Sequence, residues 1–425
     1  MKKILTPERK DWAKLIQRPK ISNKELYTLV HQIFADIKEE GDTAVKKYAQ
    51  HFDNIESDVF QVTEKQINDS ISFVSQELQD AINIAHKNIE LFHKAQQEQK
   101  QIIETTKGVL CWRENRPIEK IGIYIPGGTA PLFSTVLMLG IPAKLAGCKE
   151  INLFTPPGNN GIIHPAILFA AHVVGITNIF AVGGIQAIGA MTFGTESLPK
   201  VDKIFGPGNQ YVTAAKQISQ LYGAAIDMPA GPSEVLIIAD ETCVPEFVAA
   251  DLLSQAEHGY DSQVILLSNT IHIIDLILQK IPEQIKLLPK KDIVEKVLNH
   301  SKAILFDSID ECIEFSNEYA PEHLIVATNN YTDYSKSISN AGSVFLGNYS
   351  CESAGDYASG TNHTLPTHGY ARSYSGVSLD SFVKKITFQE LSIEGIKTLG
   401  PTIEVMAEAE QLMAHKYAVT LRLQG

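Results

Sequence analysis

Residues 120–126, Lys-Ile-Gly-Ile-Tyr-Ile-Pro, begin the part of the chain that decides its fold. Three more short runs rich in β-forming residues follow, at 150–155, 178–183 and 203–205. Each run ends at glycine or proline and is followed by a stretch typical of a helix, such as 165–174. Four strand–turn–helix units in succession predict parallel βα units in a doubly wound layer.

A second alternating series begins after the turn-rich segment 229–233. Its β-type runs lie at 234–240, 263–269, 303–306, 323–328 and 343–347. The two series together predict an α/β protein with two Rossmann-like doubly wound domains and mainly parallel sheets. Residues 22–100 are dominated by helical periodicity. Helical N-terminal and C-terminal extensions are expected as well.

Four regions are predicted along the chain. They are an N-terminal extension at 1–20, a metal and catalytic α/β domain formed by 21–119 together with 234–377, a dinucleotide-binding Rossmann-like domain at 120–233, and a C-terminal tail at 378–425. The tail is expected to contain one long helix near 401–415.

Composition excludes several classes of protein. The 425 residues carry a formal net charge of −12, which argues against a nucleic-acid surface. The most apolar long stretch, 129–147, contains Pro131, Pro142 and Lys144, so it predicts a buried helix rather than a membrane span. The five cysteines are widely spaced and form no CxxC pair, and the N-terminus lacks the apolar core of a signal peptide. We therefore expect a cytoplasmic protein with no nucleic-acid or membrane partner.

Metal-type and acid–base residues are scattered over short motifs punctuated by glycine or proline. Gln255 and His258 are three apart near the end of a predicted helix, so they lie on one face of it. The other candidates are Glu322, His323, Asp356, His363, Glu410 and His415, of which Asp356 and His363 are expected to lie in loops. Each alone is explained as well by a solvated or capping side chain. Together they offer enough nitrogen and oxygen donors for a divalent metal, and a Glu–His pair to move protons.

Glycine turns follow three of the predicted strands of the first series. They contain Gly127-Gly128, Gly183-Gly184, and Gly206 with Gly208. The G-x-G-x-x-G fingerprint is missing, but such turns let backbone amides at helix N-termini approach a pyrophosphate. A dinucleotide site is predicted at this edge, although no acidic reader of the ribose is evident at the usual spacing.

Several longer motifs resemble those of the histidinol dehydrogenases. They are the segment 226–259 ending in Ser-Gln-Ala-Glu-His-Gly, Tyr-Ile-Pro-Gly-Gly-Thr-Ala at 124–130, Tyr-Ala-Pro-Glu-His-Leu at 319–324, Gly-Asp-Tyr-Ala-Ser-Gly-Thr-Asn-His-Thr-Leu-Pro-Thr at 355–367, and Ala-His-Lys-Tyr-Ala-Val-Thr-Leu-Arg at 414–422. This resemblance implies a zinc- and NAD-dependent oxidation of L-histidinol to L-histidine through L-histidinaldehyde, with two NAD, as the last step of histidine biosynthesis.

The resemblance also implies a role for each candidate residue. One Zn²⁺ per subunit would be bound by Gln255, His258, Asp356 and, from the partner of a homodimer with shared active sites, His415. His323 would be the general base and Glu322 would activate water. The remaining expected substrate contacts are Ser233, His363 and Glu410, besides His323 and the four zinc ligands. Tyr124, Gln186 and Asn209 would contact NAD.

Three alternatives remain at this stage. A cysteine nucleophile at Cys111 or Cys148 would form a thiohemiacetal with the aldehyde, although buried structural thiols are more common. A zinc hydrolase with Glu322 activating water would use the metal residues but leave the glycine turns unexplained. A non-catalytic metal-binding or amino-acid-binding protein would use neither Glu322 nor His323 for chemistry.

Overall fold

The architecture is that of a computed structural model, which describes residues 1–18, 24–55, 59–127, 131–158, 161–229 and 231–425. Gly128, in one predicted turn, and Ala230, in the predicted domain boundary, lie outside the described residues. Among the helices in the described ranges, none is both long enough and apolar enough to cross a membrane.

The described residues form fourteen strands and seventeen α-helices. The strands are β1 (Lys2–Leu5), β2 (Ile102–Thr106), β3 (Val109–Pro117), β4 (Lys120–Tyr124), β5 (Glu150–Phe154), β6 (Asn178–Phe180), β7 (Lys203–Phe205), β8 (Ala225–Ile226), β9 (Glu234–Ala239), β10 (Gln263–Ser268), β11 (Lys302–Leu305), β12 (His323–Ala327), β13 (Ser343–Leu346) and β14 (Val383–Leu391). The helices are α1 (Arg9–Leu15), α2 (Lys24–Glu40), α3 (Asp42–Asp53), α4 (Glu64–Ser70), α5 (Gln76–Lys94), α6 (Phe133–Ala146), α7 (Pro165–Val174), α8 (Gly184–Phe193), α9 (Gln210–Ser219), α10 (Pro245–Ala256), α11 (Ile271–Ile285), α12 (Lys291–His300), α13 (Ile309–Tyr319), α14 (Tyr331–Tyr334), α15 (Glu352–Tyr357), α16 (Ile393–Ala409) and α17 (Met413–Gln424).

The first series of βα units forms a five-stranded sheet of order β6-β5-β4-β7-β8, and every pairing in it is parallel. Apolar side chains cover both faces, which is why the strands are continuous hydrophobic runs. Helices α6 and α7 pack on one face and α8 and α9 on the other. The predicted doubly wound layer is confirmed.

The second series forms a six-stranded sheet of order β1-β11-β10-β9-β12-β13, also with parallel pairings only. Its central strand β9 is buried along its whole length. The chain's first residues add β1 at one edge, so the N-terminal extension contributes a strand as well as helix α1. The predicted α/β class with two parallel sheets is therefore confirmed.

The C-terminal tail differs from the prediction of one long helix near 401–415. Strand β14 pairs antiparallel with β3, which pairs with β2, in a three-stranded sheet that the sequence did not predict. The helical part is a hairpin of α16 and α17, broken at 410–412, where Gln411 has a φ of 61°. A left-handed residue ends the run of backbone hydrogen bonds, so one helix cannot continue through this segment.

The helices between 24 and 94 pack on the five-stranded sheet. Ile33 and Phe34 of α2 belong to the apolar cluster on its α8–α9 face, and Ile82 and Ile89 of α5 to the cluster on the opposite face. The expected grouping of 21–119 with 234–377 does not describe this packing. Periodicity identified the apolar stripe of these helices, but a stripe does not specify which sheet it will cover.

Candidate active site

Two helices bring together the residues of a metal-type cluster. His258 follows the end of α10, and Glu352 and Asp356 lie four apart on one face of the short helix α15. Ligand-type atoms of these three side chains all lie within 4.8 Å of one another. The prediction that Asp356 lies in a loop is wrong, because 352–357 closes a helical turn despite Gly355.

Gln255 is fully buried and lies against the same cluster. In the amide orientation that satisfies both ends of the side chain, Nε2 donates to Glu352 Oε2 at 3.1 Å and Oε1 accepts from the backbone N–H of Glu234 at 3.0 Å. The same N–H lies 2.8 Å from Glu322 Oε2, so two acceptors compete for one donor. In the opposite orientation Oε1 faces the carboxylate of Glu352, and a cation held between these oxygens would stabilise that arrangement.

Glu322 and His323 stand at the entry to β12, as predicted, but they are buried, not an exposed charged pair: the residues are 6% and 4% exposed. His323 Nδ1 lies 3.2 Å from the backbone carbonyl of Glu234 and 3.7 Å from Glu322 Oε2. Its Nε2 lies 3.4 Å from Asp356 Oδ1 without making a hydrogen bond of good geometry. The imidazole therefore points its free nitrogen into the metal-type cluster.

The backbone before this pair differs from the expectation. Proline favours an extended conformation at the residue before it, yet Ala320, which precedes Pro321, has φ 52° and ψ 68°. It ends α13 as a left-handed cap whose N–H donates to the carbonyl of Ser316. The helix end therefore overrides the local preference imposed by proline.

Charge in the cluster is dominated by carboxylates. Burial raises the pKa of Glu322 to about 8 and, together with Asp356, that of Glu352 to about 8, while His323 opposes both shifts. Burial lowers the pKa of His323, but the carboxylates of Glu352, Glu322 and Asp356 outweigh it and raise that pKa to about 10. Burial alone would raise the pKa of Asp356, but the neighbouring imidazoles bring it below its usual value.

This electrostatic arrangement fits a divalent cation. Buried charges are normally paired or coordinate a metal, and here several carboxyl groups crowd around few positive partners. The nearby carboxylate of Glu234 already has a positive partner, because Arg18 Nη2 donates to its Oε2 at 2.8 Å and neutralises it. The remaining donors, imidazole nitrogen with carboxylate and amide oxygens, are ligands that Zn²⁺ accepts. The orphaned Nε2 of His323 shows that the cluster is not satisfied by its own side chains.

A cavity of about 570 Å³ is lined by residues of this cluster and by residues of the predicted dinucleotide site. Its lining includes Ser233 and His258 as well as Gly208 and Asn209. Ser233, a predicted substrate contact, is one of the residues that line this cavity. A substrate bound here would lie next to both groups of residues.

His363 lies in a loop, as expected, and bridges the two parts of the fold. Its Nδ1 donates to the carbonyl of Asp356 at 2.8 Å, and its Nε2 lies 3.1 Å from the hydroxyl of Thr135 in α6. Burial lowers its pKa. In this arrangement His363 holds the backbone at Asp356, and Thr135 occupies its second nitrogen.

The predicted dinucleotide residues lie at or after the carboxyl ends of strands β4, β6 and β7 of the five-stranded sheet. Tyr124 ends β4, and its hydroxyl accepts from the N–H of Gly184 at 3.1 Å. Asn209 caps α9, where Oδ1 accepts from the N–H groups of Tyr211 and Val212. Gln186 is fully buried in the first turn of α8. This edge is where open parallel sheets bind nucleotides.

Glu410 and His415 lie on the exposed C-terminal hairpin. Among the described residues, the group of side chains with metal-ligand spacing contains His258, Glu352 and Asp356 but not His415. One chain thus assembles three of the four predicted zinc ligands around one place. The fourth ligand and Glu410 were expected from the partner subunit.

Glu352 is the cluster residue that the sequence interpretation missed. The signal was its four-residue spacing from Asp356, which places both on one helix face. Assigning Asp356 to a loop concealed that spacing. Cys148, the rival nucleophile, is buried, and burial raises the pKa of its thiol to about 11, so it is protonated at neutral pH.

These features define the class of the protein: an α/β enzyme whose metal-type acid–base centre shares a cavity with a nucleotide-type sheet edge. The particular family follows from comparison with known proteins. The histidinol dehydrogenase family model matches residues 16–423. This chain belongs to the histidinol dehydrogenase family.

Individual relatives agree over the full length. Histidinol dehydrogenase of Bacteroides thetaiotaomicron is 55% identical over 423 residues, covering 100% of this chain and 99% of the relative. That of Haemophilus influenzae is 52% identical over 411 residues, covering 96% and 95%. A crystal structure of histidinol dehydrogenase from Elizabethkingia anophelis superposes with a TM-score of 0.98 at 62% identity, covering 100% of this chain and 98% of that one.

Proposed function

We propose that this enzyme oxidises L-histidinol to L-histidine with two NAD and one Zn²⁺ per subunit, passing through L-histidinaldehyde. Membership of the family supports the reaction, its place in histidine biosynthesis and the two cofactors. The observation that carries the assignment to this site is the shared cavity. Its lining includes both His258 of the metal-type cluster and Asn209 of the predicted dinucleotide site.

Zinc would be held by Gln255, His258 and Asp356 of one subunit and His415 of its partner, with Glu352 as a further carboxylate. When bound, the cation supplies a positive template that orients the substrate and offsets the surrounding carboxylates. The crowding of Glu352 and Asp356 supports this placement, since their ligand atoms and that of His258 lie within 4.8 Å.

His323 is the proposed general base. A bound cation would offset the carboxylates that raise the pKa of this imidazole and so favour its neutral form. Nδ1 then donates to the carbonyl of Glu234 at 3.2 Å, and Nε2 takes the proton of the substrate alcohol as hydride passes to NAD. Glu322 is proposed to take a proton from water as it attacks the aldehyde, and the hydrate then loses a second hydride. A carboxyl group with a pKa of about 8 is a stronger base than an ordinary glutamate, which suits this step. Ser233, His363 and Glu410 are proposed to border the substrate, and Tyr124, Gln186 and Asn209 the NAD.

A second copy of this chain is the proposed partner. Helices α16 and α17 pack on each other, and their hairpin leaves seven large apolar side chains exposed. These side chains are Ile393, Val405, Met406, Leu412, Met413, Tyr417 and Leu421. Large exposed apolar surface marks an interface, and the same hairpin carries Glu410 and His415. A homodimer would bury these apolar side chains and deliver Glu410 and His415 to a neighbouring active site.

The test is NADH formation with L-histidinol, before and after a chelator and after zinc is restored. We expect two NADH per histidinol, loss with the chelator and recovery with zinc. A hydrolase would release no NADH, and a binding protein would show none while still binding the ligand. Glu322→Gln should stop the reaction after the first oxidation, whereas exposed Glu39→Gln should leave it unchanged. Two NADH per histidinol in the Glu322→Gln variant would refute the role of Glu322.

A further inference from the structure

An acidic side chain far away in sequence lies beside the residues of the nucleotide edge. Asp53 is the last residue of α3, and its Oδ2 accepts a hydrogen bond of 2.9 Å from Nε2 of Gln186. The charge of Asp53 also acts on the hydroxyl of Tyr124. Two of the three predicted NAD contacts therefore surround one carboxylate.

The helix that carries Asp53 does not account for a carboxylate at this position. The C-terminal end of a helix has a partial negative charge, so an acidic residue there is unfavourable by itself. Asn54 ends α3 in a left-handed conformation, with φ 57°, and Val62 N–H donates to the carbonyl of Ile179 in β6. The hydrogen bond from Gln186, in the first turn of α8, holds the end of α3 at the carboxyl edge of the sheet.

A second observation points to a ligand at the same place. Among the described residues, the buried Oε1 of Gln186 has no hydrogen-bond partner, while Asp53 engages the other end of the amide. Oε1 faces Gly184, where a Cβ would collide with it, and Gly184 has a φ of 65°. The carboxylate of Asp53 and Oε1 of Gln186 thus offer two hydrogen-bond acceptors beside the N-terminus of α8. A ligand that matches them has two hydrogen-bond donors close together, as a pair of neighbouring hydroxyl groups has.

We propose that Asp53 accepts hydrogen bonds from the adenine-ribose diol of NAD and thereby selects NAD over NADP. This inference rests on the proposed function, because that function supplies the dinucleotide. A ribose diol provides two O–H donors, whereas the 2′-phosphate of NADP would bring negative charge against the carboxylate. An acidic residue performs this selection in Rossmann folds generally, but here it comes from a helix that precedes the sheet in sequence.

The inference is tested by nucleotide binding to the zinc-loaded protein without histidinol. Dissociation constants for NAD, NADP and 2′-deoxy-NAD, in which the adenine ribose lacks its 2′-hydroxyl, are measured by calorimetry for the wild type and for Asp53→Asn. We expect the wild type to prefer NAD to NADP, and to bind the deoxy analogue about tenfold or more weakly than NAD. In Asp53→Asn, the NADP-to-NAD ratio of dissociation constants should fall by about tenfold or more, and the penalty for the deoxy analogue should shrink.

The matched control is Glu39→Gln, which removes one exposed negative charge from α2 and should leave both ratios unchanged. Equal affinity of the wild type for NAD and its deoxy analogue would overturn the inference without any variant. An unchanged ratio in folded Asp53→Asn would overturn it as well, and would make Asp53 a structural carboxylate. Failure of the wild type to bind either dinucleotide would instead contradict the proposed function.

Discussion

Mixing two inactive variants should restore activity if the C-terminal hairpin completes the neighbouring subunit's site. His258 lies in the metal-type cluster with Glu352 and Asp356, whereas His415 lies on the C-terminal hairpin outside that cluster. His258→Ala and His415→Ala should each abolish turnover as homodimers. In a heterodimer, one site combines an intact His258 with an intact His415, and the other site has lost both.

The size of the recovery follows from this geometry. A heterodimer purified with two different affinity tags should show about half the wild-type kcat per dimer. Random mixing makes half of the dimers heterodimers, so the mixture should recover about one quarter of the wild-type rate. The assay is NADH formation at saturating L-histidinol, NAD and zinc, with KM expected to match the wild type.

The control pair is His258→Ala with Asp356→Ala. Both residues belong to the body of the same subunit, so each site of this heterodimer keeps one defect and stays inactive. No recovery by the His258→Ala and His415→Ala heterodimer would refute the shared site, because the tail would then serve its own subunit. Recovery by the control pair would refute the placement of His258 and Asp356 in one cluster.

Three further predictions concern buried charge. Glu352→Gln should weaken zinc binding by about 10- to 100-fold, because it removes a negative charge from the group of metal ligands. Competition with a chromophoric chelator measures this affinity, and an unchanged affinity would contradict the role of Glu352. Arg18→Met should cost about 3–5 kcal/mol of unfolding free energy in urea, because the carboxylate of Glu234 would stay buried without its partner; a loss below about 1 kcal/mol would show that solvent reaches the carboxylate. Burial raises the pKa of Asp251 from 3.8 to about 7, so its contribution to stability is retained below the unfolded pKa and lost as the pH rises from 3.8 to about 7. Asp251→Asn should therefore match the Tm of the metal-free wild type at pH 4 and exceed it at pH 8, and an equal difference at both values would contradict the shift.

Strands were the most predictable elements of this fold. The runs that became β4, β5, β9 and β10 are short, rich in β-branched residues and punctuated by glycine or proline, and such local signals need no tertiary information. Strand β14 was missed because it alternates weakly and is only partly buried. Its pairing with β3 joins residues more than 250 positions apart, which no local pattern can show.

The sequence identified most residues of the candidate site but missed one. The resemblance named Gln255, His258, Asp356 and the Glu322–His323 pair, and the fold gathers them around one cluster. Helix α15 was too short to recognise from periodicity, so its Glu352 was overlooked.

The sequence by itself determined the two series of βα units and the kinds of donor atom available, because propensity, periodicity and side-chain chemistry are local properties. Only the tertiary structure decided which sheet the helices of 24–94 cover, that Glu352 joins the metal-type cluster, and that Asp53 meets Gln186. These arrangements depend on contacts between distant segments. Such contacts are set by shape and burial over the whole chain, and residue order does not express them.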